Sequence, residues 1–73
     1  MEIKNLFDWV FDVLVRYDSL ESYEISVRIN RVDVRSCRRE FDNDVLHALV
    51  ALNATMCIFI EDNVIVARLS PNI

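Results

Sequence analysis

The chain contains no glycine. Over 73 residues the ordinary frequency of roughly 7% would supply about five. A loop that holds phosphate by close backbone approach needs positions without a Cβ. The P-loop, the dinucleotide-binding fingerprint, the glycine-flanked nucleophile elbow and the EF-hand loop are therefore excluded. The glycine-containing motif of the common RNA-binding sheet domain is excluded on the same ground. Most enzyme classes leave with these loops, and the chain reads as non-catalytic.

Length sharpens the constraint. A chain of 73 residues is one domain, and at that size burial returns only about what chain ordering costs. Nearly every apolar residue must enter a core, or the core must be shared with a second chain. The material is present, since 53% of the residues are hydrophobic.

Periodicity divides the chain into a helix over 1–18, a hairpin over 23–36, a helix over 42–54, a hairpin over 56–69 and a tail over 70–73. In the first helix Ile3, Leu6, Phe7, Val10, Val13, Leu14 and Tyr17 share one face. Trp9 falls at one edge of that face, and Phe11 with Val15 at the other. From Tyr23 the period becomes two, and the phase slips between Ile29 and Val32. A tight turn at Asn30-Arg31 repairs it by pairing Ile29 with Val32, Val27 with Val34 and Arg28 with Asp33. Asparagine tolerates the positive φ such a turn needs; arginine suits it less well.

In the second helix Asp42 or Asn43 serves as cap, Asp44 suits the first turn, and Val45, Leu46, Leu49 and Leu52 face inward. Met56–Ile60 and Val64–Leu69 read as strands joined at Asp62-Asn63. Neither face of this second hairpin is polar, so its strands are central or await a partner. Ile25 to Arg35 aligns without gaps on Ile58 to Arg68, matching at Ile, Asn and Arg, as a decayed repeat or chance would give. The predicted architecture is α+β: αββαββ, a four-stranded antiparallel sheet with two helices packed on one face.

Little in the sequence carries chemistry. His47 stands alone on the second helix with no orienting acid or nucleophile nearby in sequence, and a solvated or half-buried residue is the simpler reading. Cys37 and Cys57 lack the short-spaced pairing of metal or redox sites and read as small buried hydrophobes. No metal and no cofactor is expected. Asp8 and Asp12, one helical turn apart, suit a solvated face better than a catalytic pair. The opening stretch carries Glu2 and Asp8 beside Lys4, unlike a signal peptide, and Ala48–Leu52 is far too short to span a membrane. The expected location is the reducing cytoplasm.

Charge is the most informative pattern. The net charge is −4. Residues 1–24 and 40–73 are acidic, whereas Arg28, Arg31, Arg35, Arg38 and Arg39 make the middle basic. Three readings follow. The arginines neutralise themselves against neighbouring acids such as Glu24, Asp33 and Glu40. Or they contact nucleic acid, which would make the protein a small dimeric regulator; net charge and the lack of interleaved aromatics oppose this. Or the charged surface docks a partner protein.

The favoured expectation is a small acidic protein that binds a larger macromolecule through Asp8, Trp9, Asp12 and Arg16 and modulates or inhibits it. Bacteriophage-type inhibitors of nucleic-acid-processing machines share these traits. A homodimer completed by the second hairpin is a further expectation.

Overall fold

A computed structural model describes residues Glu2–Asn72. The elements are α1 (Ile3–Arg16), a short 3₁₀ turn (Leu20–Ser22), β1 (Tyr23–Val27), β2 (Val32–Ser36), α2 (Asn43–Val50), β3 (Ala54–Glu61) and β4 (Val64–Pro71). The four strands form one antiparallel sheet in the order β1-β2-β4-β3. This is the expected α+β class.

One hydrophobic cluster joins the layers. Leu6, Val10, Val13 and Leu14 of α1 and Val45 and Leu49 of α2 meet Tyr23, Val32, Val34, Ala67 and Leu69 of the sheet. By strand alternation these sheet residues share one face, here called the core face. The other face carries Asp33, Arg35, Phe59, Glu61, Val66 and Arg68.

Helix α1 stops at Arg16, short of the expected Asp18, because Asp18 turns left-handed (φ 52°). The Asp18 N–H donates to the Val15 carbonyl at 3.0 Å and the Ser19 N–H to the Leu14 carbonyl at 2.8 Å. This is a Schellman closure with aspartate where glycine is usual. Met1, which the sequence reading places in this helix, lies outside the described residues.

Helix α2 starts as expected. The Asp42 carboxylate accepts from the Asp44 N–H at 2.8 Å and the Val45 N–H at 3.3 Å. It ends at Val50 instead of Ala54, since Leu52 turns back to the Leu49 carbonyl and Ala54 already begins β3. Ser70 and Pro71, expected in a tail, extend β4 and pair with Thr55 and Ala54; Ile73 lies outside the described residues.

The first hairpin differs from the expected register. Val27 pairs with Val32, Ile25 with Val34 and Tyr23 with Ser36, a shift of two residues that keeps the side chains still paired on their expected faces. A turn at Asn30-Arg31 would have required arginine to adopt positive φ, and no residue of this loop does so. A wider loop closes instead by the Arg28 N–H donating to the Arg31 carbonyl at 2.9 Å. Ile29, assigned to the apolar face, is carried to the tip and stands 96% exposed. The second hairpin does make the tight turn: Asp62 (φ 52°) and Asn63 (φ 65°) are both left-handed, as a two-residue type I′ loop needs.

Candidate functional site

The geometry of the proposed site begins with the width of the apolar arc on α1. Leu6, Val10, Val13 and Leu14 occupy its centre and are buried. The flanks have no sheet left to cover them. On one flank Trp9 stays 44% exposed; on the other Phe11 and Val15 are exposed. The Phe7 and Phe11 rings lie 6.2 Å apart. Tyr17, expected to face inward, is also exposed because the helix ends beneath it.

The Trp9 flank faces α2. Between the helices lies an open groove of about 670 Å³, lined by Trp9, Asp12, Val13, Arg16 and Tyr17 of the first helical segment and by Asp44, His47, Ala48, Ala51 and Leu52 of the second. Its size falls in the range of small ligand or side-chain pockets. Ala48 and Leu52 pack against the core and, with buried Val13, give the groove an apolar floor. Asp12, Arg16, Asp44 and His47 put charge and hydrogen-bonding capacity on its walls.

Three of the four residues singled out from sequence, Trp9, Asp12 and Arg16, thus line one groove. Asp8 is exposed on α1 but does not line it. The sequence reading missed Asp44 and His47 as members of the site. They sit on the distant α2, and their only sequence signal was their spacing by one helical turn on the polar side of that helix.

The arginine segment is divided by the fold. Arg35 donates to Glu61 Oε1 at 2.8 Å, to the Glu61 carbonyl at 3.2 Å and to Asp62 Oδ2 at 3.4 Å. Arg31 Nε lies 3.6 Å from Asp33 Oδ2. Arg68 grips the same Asp33 with two donors, Nε to Oδ1 at 2.9 Å and Nη2 to Oδ2 at 3.1 Å. Its guanidinium also lies 4.6 Å from the centre of the Phe59 ring. The hydrogen bond to Asp33 is the main cause that holds the Arg68 pKa above its ordinary value, with desolvation opposing it.

Beneath this network Val66 is buried on the face away from the core. Arg28, Arg31, Arg35 and Arg68 line one hollow there together with Asp33 and Glu61. Arg38 and Arg39 lie apart, in the exposed bend after β2, where Arg39 is left-handed (φ 64°). The acids that face Arg35, namely Glu61 and Asp62, come from the second hairpin, not from the Glu24 and Glu40 that sequence proximity suggested.

Cys37 and Cys57 are free and exposed, not buried as expected. Cys37 follows the end of β2, and Cys57 points from β3 to the face away from the core. Among the described residues no group of three or more His, Cys, Asp or Glu is arranged to hold a metal ion. No helix of the described residues is long and apolar enough to cross a membrane. No protein-family model, curated protein or solved structure matches the chain, so the groove is read from its own residues.

Proposed function

We propose that this protein is a non-catalytic binding module that seats a basic segment of a larger macromolecular partner in the α1–α2 groove and thereby modulates or inhibits that partner. The observation that carries the reading is the meeting of Trp9, Asp12 and Arg16 with Asp44 and His47 over an apolar floor. A half-exposed tryptophan beside a groove is the type of side chain that anchors small interfaces. The carboxylates of Asp12 and Asp44, with exposed Asp8 one turn before Asp12 on α1, favour an approaching lysine or arginine, and the net charge of −4 steers a basic partner from a distance. Arg16 can in turn pair with an acid on the same segment, which would fix its direction.

The nucleic-acid alternative draws less support. Arg31, Arg35 and Arg68 are already engaged by Asp33, Glu61 and Asp62, and releasing them for phosphate would break those pairs. A stoichiometric inhibitor of the bacteriophage type, working in the reducing cytoplasm, is the biological setting that fits this reading.

Trp9 is the only tryptophan of the chain, so its fluorescence reports on the groove directly. Titration with a lysine- and arginine-rich peptide is expected to shift that emission at low salt, and an acidic peptide of equal length is not. Asp8→Lys combined with Asp12→Lys is expected to weaken binding at least tenfold, about 1.4 kcal/mol. Equal binding by that double variant would remove the groove from the account.

A further inference from the structure

β3 forms one edge of the sheet. Its pairing with β4 closes at Glu61 and Val64, the residues that flank the two-residue left-handed turn, and such a closing pair is hydrogen-bonded. Alternation along the ladder then aims the backbone groups of Glu61, Phe59, Cys57 and Thr55 at β4. Those of Ile60, Ile58 and Met56 face outward from the edge. The Ala54 N–H fits the same phase, since it bonds to the Leu52 carbonyl at 2.8 Å and not to β4.

Nothing blunts this edge. Its register with β4 runs unbroken through Ala54–Glu61, without a bulge, a proline or any charge before Glu61. Natural sheets usually protect an edge of that length with one of these devices. Ile58 is 46% and Ile60 74% exposed, side by side on the core face where the helices do not reach. The opposite edge, β1, is only five residues long.

We propose that β3 pairs antiparallel with β3 of a second copy of this chain, joining two four-stranded sheets across a two-fold axis at Ile58. In this register Ile58 meets its own counterpart, and Ile60 lies opposite Met56 of the second copy. On the other face Phe59 lies opposite Cys57, and Glu61 opposite Thr55. The strand is self-complementary: no like charges meet, and its one acid faces a hydroxyl. The net charge of −4 on each copy therefore does not act across the seam itself. A register centred on Cys57 would oppose Ile60 to Ala54 and cover less of it. An isologous seam of this kind closes at two copies.

Sedimentation velocity over a concentration series, with Ile58→Lys and Ile60→Lys as variants, tests the proposal. Both side chains are exposed, and thermal unfolding checks that the variants remain folded. The expected result is a dimer for the native chain and a monomer for the double variant. In a Cys37→Ser, Cys57→Ser background, Ile58→Cys is expected to form a covalent dimer under mild oxidation, because residues opposed in a hydrogen-bonded pair lie within disulfide reach. A native chain that stays monomeric at millimolar concentration overturns the proposal. So does a dimer that survives both lysines, or a ladder of larger species from β3 meeting β1. Cross-linking through native Cys57 with none through Ile58→Cys overturns the register.

Discussion

Among the described residues, four adopt left-handed backbone in a chain that has no glycine to offer: Asp18, Arg39, Asp62 and Asn63. Asparagine and aspartate accept that region at modest cost; arginine gains no local hydrogen bond to offset it. Asp18→Gly is therefore expected to stabilise the protein by about 0.5–1 kcal/mol, read as a higher urea midpoint with an unchanged slope. It keeps the same Schellman bonds, so a loss of stability would mean that the Asp18 side chain has a role beyond its backbone. Asp42→Ala removes the acceptor from the Asp44 and Val45 N–H groups and is expected to cost about 1 kcal/mol, with Asp42→Ser recovering most of it. The Asp42 N–H is held by the Tyr23 hydroxyl at 2.8 Å, and the Tyr23 ring lies 4.8 Å from that of Phe41, so the cap also ties α2 to the start of β1. The Arg68 pair adds no pH dependence near neutrality. A base whose pKa is raised on folding keeps its contribution below its ordinary value and loses it only as pH climbs past the raised one, which is strongly alkaline here.

At the scale of elements, the two hairpins show which part of the fold was legible and which was not. Alternation fixed the face of every strand residue from Tyr23 to Val27 and from Val32 to Ser36, because face depends only on parity. Register depends on the loop, and the loop depends on which residues tolerate positive φ. At Asp62-Asn63 both do, and the turn falls where the sequence put it. At Asn30-Arg31 one does not, and the loop moved toward Ile29. Its new centre gives Ile25–Val34 and Ile58–Ala67 equivalent places in the two hairpins, the correspondence that the gapless alignment of the two segments already contained. Asn63→Val is expected to destabilise by about 1–2 kcal/mol, since a β-branched residue resists the left-handed region more than asparagine does. Chemical denaturation checks this, and no loss would contradict the type I′ assignment. The groove was only half legible. Trp9, Asp12 and Arg16 recur along one side of a single helix, so periodicity gathers them. Asp44 and His47 join only when α2 packs beside α1, a tertiary event with no local signature.

For the whole molecule, the opposite-charge segments resolve into two different surfaces. One sheet face carries an arginine–carboxylate network closed by Asp33, Glu61 and Asp62. The helix pair carries a groove where, among the described residues, no ion pair engages Asp12, Arg16, Asp44 or His47, and whose surroundings are acidic. Association through that groove is therefore expected to slow as salt rises, while dissociation changes little, because screening acts on the approach of charged partners. The most direct test is an amide hydrogen-exchange footprint of the protein in complex with the partner recovered from its native host, compared with the free protein. Protection concentrated in residues 8–17 and 44–52 is the predicted result. Protection concentrated in residues 28–39, with the helix pair exchanging as in the free protein, would contradict the account.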